Sequence, residues 1–105
     1  MIAYLSGKIV SIEKDKIIIS AGGVGYEANC TQKTSDKFFD KTECELFIKT
    51  VVKEDDISLY GFQTLEDKRW FEIVTDVQGV GPRMGLSILN TYDHNSLLEI
   101  IMSED

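Results

Sequence analysis

Val77-Gln78-Gly79-Val80-Gly81-Pro82-Arg83 links two segments whose apolar residues recur at helical spacing. Gly79 and Gly81 lack a Cβ, so the backbone at both is expected to be free to take positive φ and to let a ligand approach closely. Val80 between them is placed to turn inward and anchor the corner. Pro82 suits the first position of the next helix, where its missing N–H costs nothing. The N–H groups of Gly79, Gly81 and the first helical turn would then face outward together as a small anion site, reinforced by the helix dipole. Arg83 adds a permanent cation. This is the chemistry of a helix-hairpin-helix, which grips nucleic-acid phosphates. The same residues also suit an ordinary tight connection between helices.

Upstream of the corner, Thr64 is the expected N-cap, with Glu66 and Asp67 in the first turn. Trp70, Phe71, Ile73 and Val74 continue as a stripe ending near Asp76. Downstream, Met84, Leu86, Ile88 and Leu89 form the second helix. Asp93 caps a third with Leu97, Leu98, Ile100 and Ile101 as its apolar positions. Before residue 62 the period is that of strands. Ile9–Ile12 and Ile17–Ser20 flank the charged turn Glu13-Lys14-Asp15-Lys16 and read as a hairpin. Gly22-Gly23-Val24-Gly25 opens a third strand, Tyr26–Cys30, and Thr31–Phe39 carries a short helical turn. Leu46-Phe47-Ile48 with Val51-Val52 is the fourth strand and Ile57–Phe62 the fifth. The fold class is therefore β + α: a five-stranded OB-type β-barrel over residues 1–62, then a small helical helix-hairpin-helix domain over 63–105. A split sandwich is the alternative for the strands.

The chain has 105 residues, 43% hydrophobic and 10% aromatic, which reads as globular. No run of 18 apolar residues exists, so no membrane span is expected. The N-terminus lacks the pattern of a signal peptide, and a cytoplasmic location is expected. Cys30 and Cys44 have no metal-ligand spacing and read as small core or strand residues. His94, the single histidine, reads as a surface residue at a helix start. No metal and no cofactor are expected. The net charge of −7 argues against indiscriminate nucleic-acid binding. It leaves room for a local site built from backbone N–H groups.

The order of four blocks adds a resemblance. They are Met1–Gly7, Gly22-Gly23-Val24-Gly25-Tyr26-Glu27, Val51–Asp55 with Leu59-Tyr60-Gly61-Phe62, and Gly79–Arg83 followed by Leu86 and Ile88-Leu89. In this order and spacing the chain resembles the RuvA family, the Holliday-junction-binding subunit of the bacterial branch-migration complex. The resemblance implies a non-catalytic, structure-specific DNA-binding protein acting in homologous recombination and DNA repair. It implies a homotetramer, or an octamer of two such rings, holding four-way junction DNA open on one face in the bacterial cytoplasm, at the nucleoid. The implied partners are the RuvB ATPase motor, which engages a C-terminal domain not among these residues, and the RuvC resolving endonuclease. The family has a second helix-hairpin-helix beyond the third helix, so the chain is expected to be a piece of a longer protein.

The resemblance further implies that Gly79, Gly81 and Arg83 contact DNA phosphates. Glu54 and Asp55 would form an acidic pin at the centre of the tetramer, with Asp56 extending the acidic run. Carboxylates on a hairpin tip repel phosphates, and fourfold repetition would concentrate that repulsion. Read from the residues alone, Lys53-Glu54-Asp55-Asp56 is also a plain solvated turn.

Two other classes make different demands on the sequence. A DNA glycosylase would need a larger helical domain with a base-flipping pocket, for which the chain has no room. No P-loop, G-x-S-x-G or metal-ligand pattern appears either. A general OB-fold module that binds single strands or proteins would use exposed aromatics and a basic groove. Tyr4, Tyr26, Phe38, Phe39, Phe47 and Tyr60 supply aromatics, most at positions that read as core, and the lysines are scattered.

Overall fold

A computed structural model describes residues 1–103; Glu104 and Asp105, the end of the expected helical part, lie outside the described residues. Five strands come first: β1 Tyr4–Ile12, β2 Lys16–Ala21, β3 Val24–Asn29, β4 Glu43–Lys53 and β5 Asp56–Phe62, with helix α1 Gln32–Phe38 between β3 and β4. They close a barrel in the order β1-β2-β3-β5-β4. Closure uses an antiparallel β1–β4 pairing (Leu5 opposite Leu46) and a short parallel β3–β5 pairing at Ala28–Leu59 and Asn29–Tyr60. This is the OB-type barrel, and it excludes the sandwich.

Alternation explains the barrel core. Ile17 and Ile19 on β2 are fully buried, as are Leu46 and Ile48 on β4, while Glu43 and Glu45 face solvent. Leu5, Ala28, Cys30, Cys44 and Leu59 complete the layer, and Phe38 of α1 packs against it. Cys30 and Cys44 are free, buried thiols. Burial pushes the Cys30 thiol up to about 12 and that of Cys44 to about 11, so both are inert core groups at neutral pH. Two strands are longer than their sequence pattern. β1 starts at Tyr4, not Ile9, because Leu5 supplies an inward residue that Ser6, Gly7 and Lys8 mask. A register shift between Ile9 and Ser11 then bends the strand. β4 runs unbroken through Lys49-Thr50 because β5 pairs with it along that whole stretch.

Three helices follow: α2 Leu65–Thr75, α3 Pro82–Thr91 and α4 His94–Ser103. Their starts lie where the sequence signals put them. Thr64 Oγ1 accepts from Asp67 N–H at 3.1 Å, Pro82 is the first residue of α3, and Asp93 Oδ1 accepts from Ser96 N–H at 2.8 Å. A second apolar cluster joins these helices to the barrel. Phe71, Val74, Leu89 and Leu97 pack with Tyr60 and Phe62, which belong to β5. Lys49 on β4 and Glu72 on α2 pair at 3.1 Å beside it. α2 and α3 touch closely through Gly85. A Cβ there would lie 2.5 Å from Thr75 Cγ2 and 3.2 Å from Phe71 Cε1. Thr75 cannot swing aside freely, since its hydroxyl donates to Phe71 O at 2.6 Å.

Gly85→Ala should therefore destabilise the protein by about 1 kcal/mol: the gain in helix propensity is about 1 kcal/mol, and overpacking costs about 1–3. Gly85→Val should cost about 3 kcal/mol by the same crowding. Urea denaturation measures both, and an alanine variant as stable as the parent would show that the helices have room to separate. The α4 cap makes a separate prediction. The Asp93 carboxyl lies below its ordinary value because Ser96 N–H bonds the charged form. A depressed folded pKa means the cap's contribution is complete above the unfolded value near 3.8 and is lost as pH falls through the lower, folded one. Asp93→Asn keeps an acceptor that does not titrate. It should flatten the acid limb of thermal stability measured from neutral pH down to that range; identical limbs in both proteins would contradict the cap's role.

Candidate nucleic-acid interface

The corner between α2 and α3 is a tight turn followed by an open helix end. Val80 N–H donates to Val77 O at 3.0 Å, closing a turn over residues 77–80. Its third residue, Gly79, has φ 90°, the left-handed value a type II turn requires there. Gly81 differs from the expectation drawn for it. Its φ is −86° and ψ 176°, an extended conformation open to any residue, because Gly81 serves as the N-cap of α3. It makes no side-chain cap bond, and its carbonyl accepts the first helical bond, from Gly85 N–H at 2.9 Å. A Cβ at Gly79 or Gly81 would meet nothing within 4 Å. The missing side chains at this corner thus leave open space in front of the backbone. Val80, between the glycines, is half-buried.

The electrostatics favour an anion here. The first turn of a helix leaves N–H groups without intrahelical partners, and the dipole places partial positive charge at that end. Arg83 lies in this first turn, is exposed, and forms no ion pair among the described residues. Asp76 closes α2 as its C-cap, and Asp15 lines the same cleft as Arg83.

Glu54 and Asp55 occupy the two-residue turn between β4 and β5, where Lys53 pairs with Asp56. Both are exposed, and neither takes positive φ. Asp56 is turned to local use: its carboxylate accepts from Ser58 Oγ at 2.8 Å. Just below the tip, the cross-strand pair Val52 and Ile57 is 58% and 69% exposed, so the hairpin projects beyond the barrel with an apolar stem. The acidic tip and the glycine corner are separate surfaces, and neither of two clefts near the helices is lined by Glu54 or Asp55.

Other residues behave differently from their sequence reading. His94 is half-buried. Its Nδ1 lies 2.8 Å from Glu66 and its Nε2 2.7 Å from Asp67, tying the start of α4 to the start of α2. Of the six aromatics weighed for single-strand stacking, Phe38 and Tyr60 are buried and Tyr26 and Phe47 half-buried, while Tyr4 and Phe39 are exposed. Sequence reasoning passed over Lys33, whose ammonium donates to Leu89 O at 3.5 Å and whose N–H donates to Asn90 Oδ1 at 3.2 Å. No local signal marks that bridge between α1 and the end of α3. Among the described residues there is no group of three or more metal-ligating side chains, and no helix is long and apolar enough to cross a membrane.

Comparison with known proteins adds a family. The model of the RuvA N terminal domain family matches residues 1–61. The Holliday junction branch migration complex subunit RuvA of Thermodesulfovibrio yellowstonii is 35% identical over 105 residues, all of this chain and 55% of that protein. That of Paramagnetospirillum magneticum is 41% identical over the whole chain and 50% of its own length. That of Rickettsia felis is 45% identical, again over the whole chain and 52% of its own length. The chain thus spans about half the length of the curated relatives it matches.

The two glycines should respond differently to the same change. Gly79→Val forces a β-branched residue into positive φ and should destabilise by about 1–3 kcal/mol. Gly81→Val meets open space in an allowed conformation and should lose about 1 kcal/mol or less, the penalty of a poor N-cap. Equal losses in thermal denaturation would contradict the backbone geometry of the corner.

Proposed function

Since the chain belongs to the RuvA family, we propose that it is part of a structure-specific DNA-binding subunit that recognises four-way junctions by shape and backbone. The observation that carries this reading is the open N-terminus of α3: an exposed glycine with no side-chain cap, free space before it, and beside it Arg83, which forms no ion pair among the described residues. Such a site suits a phosphate oxygen and reads no base, so it positions the protein without sequence preference. Gly79 contributes by shaping the turn, Gly81 by backbone N–H, and Arg83 by charge.

Glu54 and Asp55 act in the opposite sense. An acidic tip raised on a hairpin keeps duplex away from itself, and copies arranged around a fourfold axis would hold the crossing point open while the glycine corners grip the arms. A homotetramer, alone or paired as an octamer, supplies that arrangement. The chain does no chemistry itself; ATP hydrolysis belongs to a separate RuvB motor, and strand cutting to a RuvC endonuclease visiting the exposed face. The setting is the bacterial cytoplasm. The alternative, a single-strand-binding barrel, is less favoured because the aromatics it would need are split between core and surface.

The test compares a four-way junction, linear duplex and single strand in one gel-shift series. Junction should bind tightest, and affinity should fall steeply with salt as counterions are released. Gly81→Val should weaken junction binding at least about tenfold, more than 1.4 kcal/mol. Replacing Glu54 with Gln and Asp55 with Asn removes repulsion of about 1 kcal/mol per close charge pair in water. That variant should bind linear duplex about fivefold tighter at low salt and lose junction preference. Preference for single strand, or a flat salt response, would overturn the reading.

A further inference from the structure

A groove of about 350 Å³ runs between the β1–β2 turn, the start of α1 and one face of α3. Lys14 and Asp15 form one wall, Gln32 the end, and Arg83, Ser87 and Asn90 the other wall. The last three are spaced by four and three residues, so they share one helix face. Among the described residues neither Lys14 nor Arg83 forms an ion pair. Two cations against the single carboxylate of Asp15 make this a locally positive patch on a chain of net charge −7.

The walls are braced from behind. Ser35 Oγ donates to Lys14 O at 2.8 Å, and Cys30 N–H donates to Asp15 O at 2.9 Å. Both bonds fix the turn's backbone and leave the Lys14 side chain free. Asn90 Oδ1 accepts from Lys33 N–H at 3.2 Å, which leaves its NH₂ group as a donor. The groove therefore offers two cations and the neutral polar side chains of Gln32, Ser87 and Asn90 on a rigid frame, which is the donor set a phosphodiester chain needs.

Strand register places this groove relative to the acidic tip. Lys16 pairs with Asn29, and Asn29 with Tyr60, so the β1–β2 turn lies beside the far end of β5. Glu54 and Asp55 precede the first residue of β5. Seven residues of strand separate the two ends of the barrel, roughly 20 Å. The groove begins at Arg83, where the glycine corner ends.

We propose that this groove holds a second stretch of sugar–phosphate backbone, continuous with the one at the glycine corner, so that the barrel itself contributes to duplex binding at the end away from the acidic hairpin. The proposal rests on reading Gly81 and Arg83 as phosphate contacts. The corner and the groove share Arg83, so a single duplex arm lying on one also reaches the other. Asp15 offsets one cation, and the neutral donors supply the remaining contacts.

The test measures binding of this chain to a short linear duplex and to a four-way junction by fluorescence anisotropy across a salt series. The variants are Lys14→Gln, Ser87→Glu, Gly81→Val and, as a charge control elsewhere on the surface, Lys41→Gln; circular dichroism checks that each is folded. Lys14→Gln should weaken binding about threefold to tenfold and lower the salt slope by about one, the loss of one phosphate contact. Ser87→Glu, which sets a carboxylate in the groove, should weaken it at least about tenfold. Lys41→Gln should change it less than about twofold. If Gly81→Val loses binding while Lys14→Gln and Ser87→Glu match the parent, the corner stands and the groove falls. A weakened Lys14→Gln with an unaltered salt slope also overturns the groove. If Gly81→Val binds like the parent, both readings fall together.

Discussion

Phe71 is the contact on which the placement of the glycine corner depends. Its ring is 1% exposed and lies 4.9 Å from Phe62 and 5.3 Å from Tyr60, both on the last barrel strand. On its other side it limits how close α3 comes, through the missing side chain of Gly85. One aromatic ring thus seats α2 on the barrel and α3 on α2. Burying it contributes about 1.5–3 kcal/mol. The polar ties across the same junction, Lys49–Glu72 and Gln63–Thr34, are partly exposed. Pairs of that kind contribute about 0–1 kcal/mol each. The apolar seat therefore supplies the energy, and the polar ties select the orientation.

That seat makes the corner a rigid feature of the barrel. A turn of type II over Val77–Val80 would form in many contexts, but alone it would point anywhere. Here α2 is held by Phe71 and Val74, and α3 by Leu89, so the open end of α3 has a set direction relative to the β4–β5 hairpin. On the proposed function, that relation lets an attractive and a repulsive surface act on one nucleic acid. The acidity of the chain then ceases to conflict with phosphate binding. Backbone N–H groups and a helix dipole attract an anion without net positive charge. On the proposed function, the carboxylates serve elsewhere as a barrier.

The helical elements were largely legible from local chemistry. Thr64, Pro82 and Asp93 mark helix starts because each satisfies or removes an otherwise unpaired backbone group within three residues of itself. The strands Ile17–Ser20 and Leu46–Ile48 were legible because a half-buried sheet demands alternation. The start of β1 at Tyr4 was not, since its pattern is interrupted by Gly7 and Lys8 and its pairing partners lie some forty residues away, at Cys44 to Phe47. The conformation of Gly81 is not legible in the sequence, because two glycines in one turn look alike there. Only the direction of the chain entering α3 decides which of them needs positive φ.

The order of residues by itself determined the barrel-then-helices arrangement, the caps, the acidic hairpin and the glycine corner, since each is written in neighbours close along the chain. Tertiary structure alone decided that Tyr60 and Phe62 share a core with the helices, that Gly85 is the contact point of α2 and α3, and that Lys14 faces Arg83 across a groove. Those pairings join residues far apart in sequence. They follow from how volumes fill space once the barrel has closed, and no local pattern encodes that.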